Sequence, residues 1–266
     1  MCLVALGVAL GGRPAVRAQG PALSQFDEIL DQYVRDGLVY YAALRQERGA
    51  LDRVIRSFAD APQAFEAWSR ERRLAFWING YNLLVLRTVI DNYPIRGTST
   101  AFPSDSVMQI PGMFAGIEHP IAGRRMTLEA IEAEVASFGD PRALLALGRG
   151  AVGSPRLRSE AYRDIRLEEQ LQGAVEDFAT TPRHVTLDRG ADEVRVNAMV
   201  GWRSEQFAAL AGDDPAGGRT PLERAIVELI SPALFPTERA FLDRNTFQLA
   251  YHDFDWRLND LTGGRP

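Results

Sequence analysis

One run of residues constrains this chain more than any other: Leu74-Ala-Phe-Trp-Ile-Asn-Gly-Tyr-Asn-Leu-Leu-Val-Leu-Arg-Thr-Val-Ile-Asp-Asn-Tyr93. Its apolar side chains go nearly all the way round a 3.6-residue repeat, and Pro94 closes it, so the spacing predicts a central helix buried on almost every side. Asn79, Asn82, Arg87 and Asp91 argue against a membrane span. The two carboxamides need partners in that apolar setting. Either they clamp the backbone of a neighbouring loop or they face a pocket. Both readings make Asn79 sensitive to substitution, and only the pocket reading predicts loss of ligand without loss of fold.

The remaining elements can be placed around that helix. Ser24 reads as an N-cap for a helix carrying Phe26, Ile29, Leu30, Tyr33 and Val34 and stopping at Gly37. Val39 to Tyr41 reads as extended. Leu44, Leu51, Ile55 and Phe58 mark a further helix, and Pro62 opens another with Phe65 and Trp68 inward. His119 to Met126 resembles a hairpin turning at Ala122-Gly123, and Thr127 caps a helix carrying Leu128, Ile131 and Val135. Ala143 to Leu147 is too short to assign by periodicity. Leu167 to Phe178 and Pro221 to Ile230 are helical, Val185–Leu187 and Val194–Val196 form a second hairpin, and Phe247, Leu249 and Tyr251 alternate as a strand. Strands are few and mostly hairpin-paired, without a βαβ rhythm. The class is therefore α+β, predominantly helical with a small, mainly antiparallel sheet, in a single domain over 19–266. Gly212 to Arg219 reads as a surface loop.

Composition removes several chemistries. All 30 basic residues are arginine, so Schiff-base lysines, Ser-Lys dyads and the P-loop lysine are excluded together. Net charge is -5, with arginines interspersed among acids, which disfavours nucleic acid. Met1 to Gly12 is apolar and uncharged, and Val16-Arg-Ala18 has the small-residue spacing of a cleavage site. Residues 1–18 thus read as a signal peptide. A basic n-region is missing, so either the true start lies upstream or the signal is atypical. The expected location is periplasmic or secreted, with no transmembrane segment in the mature chain. Cys2 is the only cysteine, so the mature chain contains no thiol.

Gly148-Arg-Gly-Ala-Val-Gly153 matches the dinucleotide pattern G-x-G-x-x-G, but Ser154-Pro155 interrupts the helix that should follow and no βαβ unit surrounds it. A Gly-rich turn with close backbone packing is the better reading. Arg149, Arg156 and Arg158 surround that turn, and free backbone N–H groups with guanidinium forks would suit a carboxylate or phosphate. The alternative is that these arginines pair with Glu168, Glu169 or Asp164. Ser154 is an available hydroxyl outside a G-x-S-x-G elbow. His119 and His184 read as surface residues. His252 stands beside Asp253, Asp255, Trp256 and Asn259, a group that could orient one another, but with no metal-ligand spacing.

Several blocks occur in an order that resembles the domain-of-unknown-function 547 family, across roughly Val39 to Asn259: Leu74 to Leu84 with its F-W-I-N-x-Y-N core, Ile121 to Glu132, Asp140-Pro-Arg142, Ser154 to Tyr162 and Phe254 to Asn259. The resemblance implies an often exported bacterial domain without an established reaction, with a thiol-hydrolase-like relationship as a further implication. It also implies departures. Where relatives commonly carry His and Cys, this chain has Ala133, Leu145, Arg149 and Ser154. Trp77, Asn79, Asn82, Arg142, Tyr162, Trp202, Asp255, Trp256 and Asn259 persist.

Loss of nucleophile and base with retention of scaffold leads to the first expectation: a small anionic or peptide-like ligand held near Asn79 and the Arg149 to Arg158 loop. Trp77, Asn82, Arg142, Arg156, Tyr162, Trp256 and Asn259 complete the candidate set, and no cofactor or metal is expected. The second expectation is a hydrolase using Ser154, His252 and Asp253 or Asp255, which requires hydrogen-bond reach among them. The third is a non-catalytic module that binds a partner protein through an exposed apolar patch.

Overall fold

The computed structural model describes residues 22–62, 64–211 and 218–262; the expected signal peptide with Cys2, and most of the Gly212 to Arg219 loop, lie outside them. The central helix α4 spans Arg70–Asn92 and is buried from Leu74 to Leu86 without a break. It begins four residues before the apolar run because Ser69 accepts the Arg72 N–H and caps it there.

Around α4 lie α1 (Leu23–Tyr33), the strand pair β1 (Val34–Arg35) and β2 (Leu38–Val39), α2 (Tyr41–Gln46) and α3 (Gly49–Ala59). The first helix starts earlier than Ser24 suggested and lacks a side-chain cap; the Ala22 N–H donates instead to Ser57 Oγ at 3.1 Å. Gly37, at φ +81°, turns the β1–β2 pair and does not end a helix. The extended Val39 to Tyr41 shortens to β2, because Tyr41 already opens α2. Beyond Pro62 only a 3-10 turn forms, at Phe65–Ala67.

The hairpin β3 (Glu118–Ile121) and β4 (Arg124–Thr127) pairs antiparallel, with Ala122 and Gly123 both at positive φ, the turn geometry a two-residue loop requires. Its Ile121 packs on α4 so closely that a Cβ on Gly80 would stand 2.5 Å from the Ile121 Cδ1. Thr127 caps α5 (Leu128–Ala136) as its position implied. Asp140 caps a 3-10 segment over Pro141–Ala146, and α6 (Leu167–Thr180) follows.

A three-stranded sheet completes the fold: β5 (Val185–Asp188) antiparallel to β6 (Glu193–Asn197), and β7 (Gln248–His252) parallel to β6. That parallel pairing departs from the hairpin rule. It needs a long crossover, supplied by α7 (Ala198–Trp202), α8 (Ser204–Ala208), α9 (Pro221–Ile230) and α10 (Pro236–Asp243). The inward alternation read for β7 holds at Phe247 and fades at Tyr251, which is exposed. The fold is α+β and consistent with one domain.

Both histidines read as surface residues are buried. His184 stacks on the Phe178 ring at 5.1 Å, and His119 faces inward from β3. Burial, helped by Arg183, pushes the His184 imidazole down to about 3.

Candidate functional site

Two carboxamides on α4, one turn apart, fix the glycine-arginine loop. Asn79 accepts the Tyr162 N–H at 2.9 Å and donates to the Tyr162 carbonyl at 2.8 Å. Asn82 accepts the Gly148 N–H at 2.8 Å and donates to the Ala146 carbonyl at 2.9 Å. Both are buried and both clamp backbone, and Asn79 also lines, with Tyr162, Trp68 and Phe76, a small cavity of about 100 Å³.

Between the clamps the loop satisfies its own amides. Ser154 Oγ accepts from the Arg149 and Ala151 N–H groups at 3.0 and 3.4 Å. The Val152 and Gly153 N–H groups donate to the carbonyls of Arg257 and Asp255, each at 2.8 Å. A Cβ on Gly153 would stand 2.7 Å from the Asp255 nitrogen, which is why glycine occupies that place. Asn197 donates to the Gly153 carbonyl and to His184 Nδ1, both at 2.9 Å, tying the loop to β6. The backbone donors expected to cradle an anion are therefore largely used within the fold. The next α-helix after the G-x-G-x-x-G stretch is α6, which begins only at Leu167, so the dinucleotide geometry is absent.

The three residues of the hydrolase expectation have separate partners. Ser154 is buried with its oxygen turned to the loop amides, while His252 Nε2 meets Thr186 Oγ1 at 3.1 Å. Asp255 is held by Arg257 at 3.0 Å, and those hydrogen bonds keep its carboxyl below the usual range. Gly153 brings the backbone of Asp255 beside Ser154, but among the described residues no hydrogen bond joins the three side chains.

The predicted ligand arginines divide. Arg142 forks onto Asp140 and Glu168 at 2.8 and 2.7 Å. Arg156 bridges Asp36 and Asp177 at 3.1 and 3.2 Å, and Arg158 meets Glu160 at 3.0 Å. The last two line a cleft of about 710 Å³ that also holds Glu160, Glu176 and Asp177, an acid excess that opposes an anion. Asn259 is structural, accepting the Tyr41 hydroxyl at 2.7 Å and donating to the Gly37 carbonyl at 2.8 Å. The buried Tyr162 hydroxyl has no partner.

Arg149 turns to the other side of the loop and reaches a cluster the sequence did not reveal as a unit. Its guanidinium meets one oxygen of Glu132, and Arg203 Nε meets the other at 2.8 Å. Both Glu132 and Arg149 are buried, whereas the Arg203 side chain is 29 % exposed. The Tyr81 hydroxyl is fully buried, feels the charges of all three groups, and has no hydrogen-bond partner. Burial pushes its phenol far above the ordinary range, against the pull of Arg149, so it remains a neutral O–H.

Aromatic rings cover the cluster. The Arg149 guanidinium lies 5.1 Å from the Phe114 ring centre and 5.9 Å from that of Trp202. Trp202 stacks on Trp256 at 5.7 Å and meets Phe254 at 4.9 Å; it is 43 % exposed. A sequence signal for this site did exist. Glu132 stands with Leu128, Ile131 and Val135 on the inner face of α5, and a carboxylate at a core position calls for a buried partner.

Among the described residues no group of His, Cys, Asp or Glu could hold a metal ion, and no helix is long and apolar enough to cross a membrane. No curated protein and no solved structure matches the chain significantly. Residues 65–179, which carry both clamps, Glu132 and the glycine-arginine loop, match the family described as "Protein of unknown function, DUF547", and over that stretch the chain resembles that family.

Proposed function

We propose that this protein binds a small carboxylate-bearing, peptide-like ligand at the Tyr81, Glu132, Arg149 and Arg203 cluster. The observation that carries the reading is the Tyr81 hydroxyl, wholly buried and unpartnered beside two guanidiniums and one carboxylate. Such a group costs about 1–3 kcal/mol while unsatisfied, and a ligand that supplies its missing partner would recover that cost; what sets Tyr81 apart from the equally unpartnered Tyr162 is the charged cluster around it. Two guanidiniums share the one buried carboxylate, Glu132, and exposed Glu129 acts on Arg149 from a greater distance, so the fork of Arg203 is incompletely answered within the fold. Arg203 is the member with access to solvent, and an arginine fork suits a carboxylate. Exposed Trp202 beside it offers a flat apolar surface for the body of the ligand.

Binding suits these residues better than covalent catalysis. The glycine-arginine loop contributes Arg149 at the position where relatives commonly carry cysteine, and Ser154 directs its oxygen to the loop amides. Export of the chain belongs to the same proposal and rests on the apolar opening stretch; N-terminal sequencing of the expressed protein should find a product beginning at Gln19, and one that retains Met1 would overturn it.

Calorimetric titration with N-acetyl dipeptides, compared with their C-terminal amides, tests the reading. Saturable heat for the acids alone is expected, weakened about tenfold by Arg203→Gln, in line with loss of a charge-assisted contact. Absence of heat with both series, or equal affinity for acids and amides, would sink it.

A further inference from the structure

The largest cleft among those described, about 870 Å³, belongs to neither the loop nor the Tyr81 cluster. It lies between the start of α4, the tip of the β3–β4 hairpin and the end of α5, within the size range of small-molecule sites. Its walls combine three aromatic rings with arginines and glutamates. Phe65 stands edge-on to Trp77 at 5.9 Å, and Phe138 contributes from beyond α5.

Three arginines point at those rings. Arg70 and Arg73 each lie 5.8 Å from the same Phe138 ring centre, and Arg124 lies 5.3 Å from Trp77. Counter-charge is uneven. Glu134 answers Arg124 at 2.9 Å. Glu66 reaches Arg73 only at 3.6 Å with its carboxylate 90 % exposed, and the Arg73 Nε is buried without a partner. Arg70 donates to the Phe138 carbonyl and has no carboxylate within ion-pair distance among the described residues. Two like charges thus converge on one ring, with Glu66 at the edge of ion-pair range of Arg73 and Glu71, outside the cleft, as a more distant counter-charge to Arg70. Convergence of that kind is unfavourable in the absence of an anion and favourable with one, since each fork retains donors suited to a carboxylate.

We propose that this cleft is a second binding site, for an aromatic monoanion whose carboxylate lies between Arg70 and Arg73 and whose ring packs against Phe138 and Trp77. Among the side chains that line the cleft, three guanidiniums face two carboxylates, an excess of one positive charge that matches a monoanion. The site stands independently of the Tyr81 cluster and shares no residue with it.

The test is calorimetric titration of the full chain with 4-nitrobenzoate and with its neutral counterpart 4-nitrobenzamide. Saturable binding of the acid is expected, at least about tenfold tighter than the amide, and weakened about tenfold in Arg70→Gln/Arg73→Gln. In that double variant, titration with N-acetyl dipeptides should be unchanged from wild type, which separates failure here from failure at the Tyr81 cluster. The proposal is overturned by absence of saturable heat with 4-nitrobenzoate, by equal affinity for the amide, or by a folded double variant that binds as wild type does. Should the double variant not fold, the single change at exposed Arg70, Arg70→Gln, takes its place: a severalfold loss of 4-nitrobenzoate affinity is expected, and unchanged affinity overturns the proposal.

Discussion

Replacing Tyr81 with phenylalanine removes one oxygen and leaves the ring, so its effect on the free protein can be worked from the structure. The ring is wholly buried in the core and keeps its packing. The hydroxyl makes no hydrogen bond in the fold, whereas in the unfolded chain water satisfies it. Burial without a partner costs about 1–3 kcal/mol, and the void left by one oxygen returns part of the gain. Tyr81→Phe should therefore stabilise the ligand-free protein by about 1 kcal/mol, raising the melting temperature by about 2–4 °C for a domain of this size. The same change should weaken N-acetyl dipeptide binding severalfold, because the ligand is the partner the hydroxyl lacks. Tyr162→Phe is the control: its hydroxyl is equally buried and unpartnered, so it should stabilise without touching affinity. Urea and thermal unfolding followed by circular dichroism measure the first effect and calorimetry the second. Destabilisation of Tyr81→Phe by more than about 1 kcal/mol would show that the hydroxyl has a strong partner within the fold and would refute the reasoning.

Other perturbations follow from the same contacts. Asn79→Ala strips both partners from the buried Tyr162 backbone and should cost about 3–5 kcal/mol in urea unfolding; a loss under about 1 kcal/mol would mean the clamp is not structural. Arg149→Met leaves Glu132 with Arg203 alone and should destabilise by about 3–5 kcal/mol, whereas neutrality would mean Glu132 is relieved by other means. For His184, whose folded value is about 3 against about 6.5 when unfolded, the unfolded chain takes up a proton that the native state refuses. Its contribution is complete above about pH 6.5 and is lost as the pH falls toward 3, at up to about 1.4 kcal/mol per unit. His184→Gln should flatten that slope in melts taken across the range, and an unchanged slope would contradict the assignment.

What the sequence revealed and what it hid have physical causes. The run from Leu74 declared a buried helix because apolar residues on every face leave no other stable placement. The β3–β4 turn was legible in Ala122-Gly123, and the α5 start in Thr127, since both are local geometries set by a few residues. The parallel β6–β7 pairing was not, because it joins strands across four intervening helices and no local pattern encodes that partner. His184 misled for a related reason: its position just before a strand suggests surface, while Phe178 and Asn197 enclose it from elsewhere in the chain.

The candidate site divides along the same line. Asn79 and Asn82 could be singled out as buried amides in need of partners, yet which partners they take is a tertiary fact. Arg149 was expected to work with Arg156 and Arg158 as neighbours in sequence. In the fold the loop points it the opposite way, to Glu132 on α5 and to Arg203 and Trp202, which lie beyond the matched residues 65–179. Sequence proximity failed there because a loop anchored at both ends can present successive side chains to different faces.

The most direct measurement of the binding proposal is the set of indole N–H resonances from the chain's four tryptophans, followed by nuclear magnetic resonance during titration with an N-acetyl dipeptide. Trp202 and Trp256 flank the Arg149 and Arg203 cluster, Trp77 stands one turn before Tyr81 on α4, and Trp68 stands beside Phe65 and Phe76. Saturable shifts at Trp202 and Trp256, with Trp68 unmoved, are the predicted result. No shift in any of the four, or shifts confined to Trp68 and Trp77, would contradict it.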